Sequence, residues 1–350
     1  MKQQGLTLVE LMISMVLGLI LTAGVISLFI QSQRSYSATR DIAILDQNAQ
    51  VIFDMIERDL QRIGFTPGCR TYDGPLTANL LAAGTKPLPF VGDRFGTNPQ
   101  LKGYNTAAGS PLVDAYLTEM AASVQGNIKP DTDFFMVWAG TPDKVGAITA
   151  QSGGQYSARF DDSVDDLNGE VVMISSPDCT QVAQFLQSTD TAAGGTSVTH
   201  TGIQPVSGAS LDGLSNCEDK ESGSFDCSAT GSAVDDTITP AGAIMVLEYF
   251  GYAVDKNDQL IRISAIGSPD YQVLTGGVTD FTVEYGSHSG VTSNGVYSVA
   301  RYDSATNVPN WSSVIALRVS FTLEGDTFVT TDKFSKRYSR LITLRNLVIE

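Results

Sequence analysis

Residues 5–30 read GLTLVELMISMVLGLILTAGVISLFI, an apolar run in which Glu10 is the only charged residue. As a helix, the 25 residues from Leu6 to Ile30 would span about 37 Å, enough to cross a hydrocarbon core of about 30 Å with some tilt. An ionised carboxylate at that depth costs about 2.5 to 3.5 kcal/mol and usually has a partner. The run contains no cation, so we expect Glu10 to be matched by a group of another chain.

A second helical pattern follows the apolar run without a break. Its apolar residues recur at three- and four-residue steps and share one helix face, with the charged residues elsewhere around it. Gly64, followed by Pro67, predicts the end of the helix. The apolar face consists of Ile42, Leu45, Ala49, Ile52, Ile56, Leu60 and Ile63. We therefore predict one long helix whose first half, 6–30, is apolar and whose second half, 31–64, is amphipathic.

The start of the chain also fits a secretory signal peptide, with Lys2 ahead of the apolar run and a cleavage site near Ala23. A cleaved signal normally gives way to an unrelated sequence, whereas here the helical pattern continues. Lys2 is the only basic side chain before the run, which favours a cytoplasmic N-terminus. The run itself is predicted to be a single membrane-spanning helix.

The residues from Gly5 to Glu10 resemble the class III signal of type IV prepilins and type II secretion pseudopilins. The resemblance implies that residues 1–5 are a leader, cut between Gly5 and Leu6 by a prepilin peptidase, and that Leu6 becomes N-methylated. It also implies that Glu10 meets the N-terminal amine of a neighbouring subunit. Most members of these families have Phe where this chain has Leu6, a departure that they tolerate.

The charge balance limits the possible partners. The chain has 22 Lys and Arg against 38 Asp and Glu, a net charge of -16. Nucleic-acid binding needs a basic surface, so we expect no nucleic-acid partner. The acidic balance suits a soluble domain carried outside the cytoplasm.

Four cysteines, Cys69, Cys179, Cys217 and Cys227, form an even set without a CxxC pair. In an exported protein they predict two disulfides, for which three connectivities are possible. The short spacing of Cys217 and Cys227 favours that pair and leaves Cys69 with Cys179. The alternative, a metal site, is disfavoured because these spacings fit no zinc motif.

The remainder, 65–350, predicts a large β-rich head. Apolar or alternating runs bounded by turn residues predict strands over 132–138, 170–175, 244–254 and 259–266, and the last two flank a turn at 255–258, which makes them a hairpin. Further alternating runs near 281–285 and 315–323, with a basic strand near 337–348, are typical of an antiparallel sheet with one buried face. The polar region 188–242 has too few large apolar residues to bury much core, and a second polar region, 78–109, is rich in Gly, Pro and Asn. Both are predicted as insertions. The predicted fold class is α+β.

Several downstream segments sharpen the resemblance to the PilW family of minor pilins. They are distributed along the chain between 58 and 346, outside the two polar regions. They are 58–65 running into Cys69, 169–179 with 183–185, 249–252 with 260–262, 276–286, and 344–346.

The resemblance implies a non-enzymatic subunit that joins other minor pilins, primes assembly of the type IV pilus fibre and lies at its tip, where it can contact a PilY-type adhesin. Before assembly the helix would lie in the inner membrane with the head in the periplasm; afterwards the protein would be on the cell surface. The alternative within the superfamily is a J-type minor pseudopilin of type II secretion.

A membrane-anchored periplasmic enzyme is the remaining alternative. Its candidate site is the acidic group Asp161, Asp162, Asp165, Asp166 and Glu170. The spacing departs from the EF-hand rule and is typical of a solvated acidic loop. The sequence has no GxSxG, Walker A or HExxH motif. We therefore predict no catalytic residue, no cofactor and no metal.

Overall fold

The computed structural model describes residues 8–69, 76–82, 100–106, 127–152, 155–160, 167, 170–180, 182–187, 197–199, 214–216, 241–264, 270–291, 297–329 and 332–344. In these residues a long N-terminal helix leads into a β-rich head, so the predicted α+β, pilin-like fold class is confirmed.

The helix α1 runs from Leu8 to Leu60, 53 residues without interruption. After a short turn, Gly64 adopts a positive φ of 77°, which glycine reaches without steric cost. The chain therefore leaves the helix where Gly64 and Pro67 predicted. Of the seven residues on the predicted apolar face, six are buried and Ile42 is half-buried.

The described part of the head contains a large sheet of eleven strands. Its central order is β7-β4-β3-β9-β5-β6-β1-β8; β2 pairs with β3, and β10 lies between β9 and β11. The pairs are antiparallel except for β1 with β6, which is parallel. The strands are β1 (Leu76–Ala82), β2 (Leu101–Asn105), β3 (Asp133–Ser152), β4 (Gln155–Phe160), β5 (Val171–Ser175), β6 (Val182–Leu186), β7 (Ser197–Thr199), β8 (Leu214–Asn216), β9 (Ala243–Val254), β10 (Gln259–Ser264) and β11 (Asp270–Gly276).

A second described sheet has four antiparallel strands in the order β13-β12-β14-β15. Two short 3-10 helices, Ala305–Asn307 and Trp311–Ser313, lie between β13 and β14. The strands are β12 (Val278–Val291), β13 (Tyr297–Ser304), β14 (Val314–Val329) and β15 (Asp332–Thr343).

The main core lies between α1, the four-stranded sheet and one face of the large sheet. Strand β3 contributes Phe135 and Val137 to this core, whereas its alternate residues Phe134 and Met136 enter a second core on the opposite face. The large sheet is therefore buried on both faces at its centre.

The hairpin prediction is confirmed: β9 and β10 pair antiparallel around a turn in which the N–H of Asp258 donates to the carbonyl of Asp255 at 3.1 Å. The alternation predicted for β12 and β14 is also confirmed, except at Ser320. Ser320 was predicted to face water but is only 7 % exposed, and its hydroxyl donates to that of Ser339 at 2.9 Å.

Several described strands differ from the sequence prediction in their bounds, and some were not predicted. Strand β3 continues to Ser152 through a register shift between Gly140 and Val145. Strand β15 begins at Asp332, five residues before the predicted start. The two polar regions contain β2, β7, β8 and most of β1. Composition did not predict these strands, because short strands can pair with their neighbours without a long apolar run.

Candidate assembly interface

The first half of α1 carries an apolar surface that the head does not cover. Every residue from Leu8 to Tyr36 is exposed, and α1 is long and apolar enough to cross a membrane. The hydroxyls of Ser14, Thr22 and Ser27 donate to helix carbonyls three or four residues earlier, at 2.9, 2.7 and 3.0 Å. Their polar groups are therefore satisfied within the helix, as a nonpolar environment requires.

Glu10 lies in the first described turn of α1 and is exposed. A carboxylate at this end interacts favourably with the helix dipole, whose positive end is the N-terminus. Gly5 and Leu6, the predicted cleavage and methylation positions, lie outside the described residues.

The second half of α1 packs on the buried face of the four-stranded sheet. Ile52, Phe53 and Ile56 are at most 4 % exposed, and the ring of Phe53 lies 4.7 Å from that of Phe321 on β14. Phe53 was not on the predicted apolar face, although its position four residues after Ala49 could have placed it there. Hydrophobic packing thus fixes this half of the helix to the head.

Charged side chains of α1 also pair with the basic strand β15. Asp46 accepts hydrogen bonds from Lys336 Nζ and from the Tyr338 hydroxyl, both at 2.6 Å. These hydrogen bonds lower the pKa of Asp46 below its ordinary value. Arg340 Nη1 lies 2.7 Å from Asp54 Oδ1. Strand β15 therefore neutralises acidic residues of the helix, which explains why a chain of negative net charge has a basic strand here.

A more enclosed ionic cluster lies where α1 ends. Asp59 Oδ1 is 2.9 Å from Arg62 Nη2, and Asp59 Oδ2 is 2.9 Å from Arg262 Nε. Glu248 on β9 completes the cluster, at 3.3 Å from Arg62 and 2.8 Å from Arg262. The four charged side chains are 17 to 21 % exposed. Two cations and two anions balance one another, so the cluster joins the helix end to the large sheet without net charge.

Two aromatic side chains complete this cluster. The guanidinium carbons of Arg62 and Arg262 lie 4.8 and 4.4 Å from the ring centroid of Phe250, so both cations contact the ring. The Tyr252 hydroxyl donates to Asp59 Oδ2 at 2.6 Å. Burial, together with the negative charge of Asp59, raises the pKa of Tyr252, so the phenol stays protonated and remains a donor.

A disulfide fastens the segment that follows the helix. Cys69 and Cys179 are bonded at 2.10 Å, the pair that the sequence favoured. Beside it, the Ser175 hydroxyl donates to the carbonyl of Pro67. Gly68 has a φ of 71°, and a Cβ there would lie 2.8 Å from that of Ala243. Cys217 and Cys227 lie outside the described residues, so their pairing stays a prediction.

The acidic group considered as an enzyme site is described only in part. Asp161, Asp162, Asp165 and Asp166 lie outside the described residues, and Glu170 Oε1 is 3.8 Å from Lys144 Nζ. Within the described ranges, no group of three or more His, Cys, Asp or Glu side chains could hold a metal ion.

Comparison with known proteins gives one family match, to the prokaryotic N-terminal methylation motif, over residues 1–26. This match supports a type IV pilin-like protein, processed by a prepilin peptidase and assembled with other pilins. It covers Gly5, Leu6 and Glu10 but none of the head. No curated protein and no solved structure matches the chain.

Proposed function

We propose that this chain is a minor pilin that helps to prime type IV pilus assembly and is incorporated in the tip complex of the filament. The observation that carries the proposal is the continuity of α1, a single helix from an exposed apolar half into the core of the head. Because the helix does not break, a force or displacement on its first half acts directly on the head.

The apolar half supports two successive environments. Before assembly, lipid of the inner membrane covers it and the head lies in the periplasm; in the filament, helices of neighbouring subunits replace the lipid. Glu10 would set the height of each subunit, because its charge is best satisfied where the amine of a neighbouring N-terminus arrives. This is a scaffold function without turnover.

The choice of a minor pilin of the PilW family rests on the resemblance of several segments of the sequence, and described residues of some of these segments contact each other. Asp59 and Arg62 in the helix exit contact Arg262, which belongs to another of the matching segments. The 169–179 segment ends at Cys179, the disulfide partner of Cys69. The partners of this minor pilin would be other minor pilins, the pilus fibre and a PilY-type tip adhesin.

Deletion of the gene tests the proposal. We expect surface pili to be lost and to reappear when retraction is also blocked, because a priming subunit changes the frequency of assembly. Complementation with the wild-type chain is the control, and secretion of type II substrates is measured in the same strains. Normal piliation with defective secretion would assign the chain to the secretion system instead.

Processing of the N-terminus gives a second test. We expect mass spectrometry of the mature protein to find a chain that begins at Leu6 with a methylated amine. A Gly5→Glu variant should keep the leader, because a bulky charged side chain would occupy the position before the scissile bond. A mature wild-type chain that begins near Gly24 would contradict the prepilin interpretation.

A further inference from the structure

Two arginines follow the apolar run of α1, and their side chains have no partner in the part of the chain that the structure describes. Arg34 lies four residues and Arg40 ten residues after Ile30, where the run ends. Both are exposed, and neither guanidinium takes part in an ion pair, a hydrogen bond or a contact with an aromatic ring. By contrast, Lys336 and Arg340 of the basic strand β15 are paired with acids of α1. In a chain with a net charge of -16, two unpaired cations so close together point to an anion outside the chain.

These arginines lie near the height of the lipid headgroups when the apolar run spans the membrane. A helix rises about 1.5 Å per residue, so the Cα of Arg34 lies about 6 Å and that of Arg40 about 15 Å beyond Ile30. The headgroup layer on each side of the hydrocarbon core is about 5 to 8 Å thick. Side chains of a helix lean toward its N-terminus, here toward the membrane, and long arginine side chains reach to the polar surface. Both guanidiniums can therefore contact lipid phosphates.

Tyr36 lies between the two arginines and supports the same level. Its side chain is 73 % exposed and has no ring contact or hydrogen bond with the described residues. Tyrosines are enriched where a membrane meets water, because the ring packs on apolar groups while the hydroxyl stays hydrated. An exposed tyrosine at this position is therefore suited to a membrane surface between Arg34 and Arg40.

The two arginines lie on different faces of α1. A helix turns by about 100° per residue, so the six-residue separation of Arg34 and Arg40 places their side chains about 120° apart around the axis. A neighbouring subunit on one side of the helix would contact only one of them, whereas lipid surrounds a membrane-spanning helix on all sides. The arrangement therefore favours lipid headgroups over an acidic patch of one partner protein.

We propose that Arg34 and Arg40 bind the phosphate groups of anionic phospholipids at the membrane surface on the side of the head. Arginine suits this ligand because its planar, weakly hydrated guanidinium donates two parallel hydrogen bonds to a phosphate. An anionic lipid is favoured over a zwitterionic one because no headgroup cation then offsets the attraction. The inference rests on the membrane-bound state of the proposed function and adds a lipid class to it. The arginines hold the subunit at a fixed depth in the membrane until it assembles.

Native mass spectrometry of the full chain in detergent micelles tests this site without pili. The micelles contain equal amounts of phosphatidylglycerol, which is anionic, and phosphatidylcholine, which has the same phosphate but no net charge. We expect the wild type to retain phosphatidylglycerol in at least about tenfold excess, because each arginine near an anionic surface contributes about fivefold.

Single substitutions locate the site. Arg34→Gln and Arg40→Gln should each lower the preference for phosphatidylglycerol by about fivefold, and together they should abolish it. Glutamine is a good helix former, so α1 should persist in these variants. The matched control is Arg58→Gln, which should keep the full preference. Arg58 is also exposed and without a side-chain partner in the described ranges, but it lies about 27 Å farther along the helix than Arg40, beyond the reach of the lipid.

Four results would overturn the inference. Equal retention of both lipids by the wild type would exclude an anionic-lipid site, and an unchanged preference in the double variant, or an equal loss in Arg58→Gln, would place the lipid elsewhere. A double variant that keeps the preference but no longer co-purifies with other pilins would assign the arginines to a contact between subunits. Failure of this inference can be told from failure of the assembly proposal, because piliation of the deletion strain tests the latter independently.

Discussion

The two halves of α1 share one backbone and have opposite surroundings. From Leu8 to Tyr36 every residue is exposed, whereas between Leu45 and Leu60 one face is buried in the head. A helix that served only to cover the sheet could begin near Asp41. The second half is therefore stabilised by packing on the head, and the first half by lipid or by other subunits. Substitutions in the first half should change assembly, whereas substitutions in the second half should change the free energy of unfolding.

Changes at Glu10 should have the largest effect, and on assembly alone. Glu10→Gln keeps the shape and removes the charge, and Glu10→Lys would bring two cations together, so co-purification with other pilins should fall for both and more for Lys. Membrane insertion should survive in the Gln variant because a neutral amide costs less in hydrocarbon than a charge. Unfolding of the head should not change.

The matched control for Glu10 is Ser14→Ala, since the Ser14 hydroxyl donates within the helix to the carbonyl of Leu11 at 2.9 Å. This variant should assemble normally. Wild-type piliation and partner recovery in both Glu10 variants, with normal processing, would mean that the proposed pairing has no role in this subunit.

Phe53→Ala should lower the stability of the fold, which the Glu10 variants leave unchanged. Removing a buried aromatic side chain leaves a cavity beside Phe321, and we expect the free energy of unfolding to fall by about 3 to 5 kcal/mol. Val51, two residues earlier and 53 % exposed, is the control. Val51→Ala should change the free energy of unfolding by less than about 0.5 kcal/mol. Denaturant unfolding of the full chain in detergent measures both. Similar losses of unfolding free energy in both variants would mean that burial does not fix the second half of α1 to the head.

Asp59→Ala should have a somewhat smaller effect than the loss of Phe53. It leaves Arg262 without one of its two carboxylates and the Tyr252 hydroxyl without its acceptor, so we expect a loss of about 3 kcal/mol. Asp54→Ala, which removes a 63 % exposed partner of Arg340, should cost less than about 1 kcal/mol. The same unfolding measurement compares the two variants. Equal losses of unfolding free energy would mean that the enclosed cluster at Asp59 stabilises the fold no more than the exposed pair at Asp54.

The sequence predicted the helix because periodicity over many residues reports burial directly, and Leu45, Ile52 and Ile56 are buried as expected. It also predicted the hairpin at 255–258, where the turn residues lie between two apolar runs. Local patterns of this kind depend on neighbours in the chain, which the sequence contains.

Contacts between distant residues were not predictable in the same way. Arg262 is 203 positions from its partner Asp59, and Arg62 is 186 positions from its partner Glu248. No spacing rule relates residues so far apart in the sequence. Arg262 and Asp59 were noted only as parts of segments that resemble a family.

The smallest predicted effect concerns the exposed pairing of Asp46 with Lys336 and Tyr338. Hydrogen bonds from these two side chains lower the pKa of Asp46 in the folded state. An acid whose folded pKa lies below its unfolded value stabilises the fold above the unfolded value, near pH 4, and loses that contribution as the pH falls through the folded pKa. Asp46→Asn should therefore be slightly less stable than the wild type at pH 7, and the difference should vanish in acid.

Asp133 supplies the contrast in sign for this measurement. Burial raises its pKa, although its carboxylate accepts from the Val283 N–H at 2.8 Å. For a raised acid pKa the folded state binds the proton more tightly, so the wild type should gain stability relative to Asp133→Asn as the pH falls through the folded pKa. Urea unfolding of both variants at pH 7 and in acid measures the two differences. If acid widened the difference for Asp46→Asn, the pairing of Asp46 with Lys336 and Tyr338 of β15 would not stabilise the packing of α1 on the head.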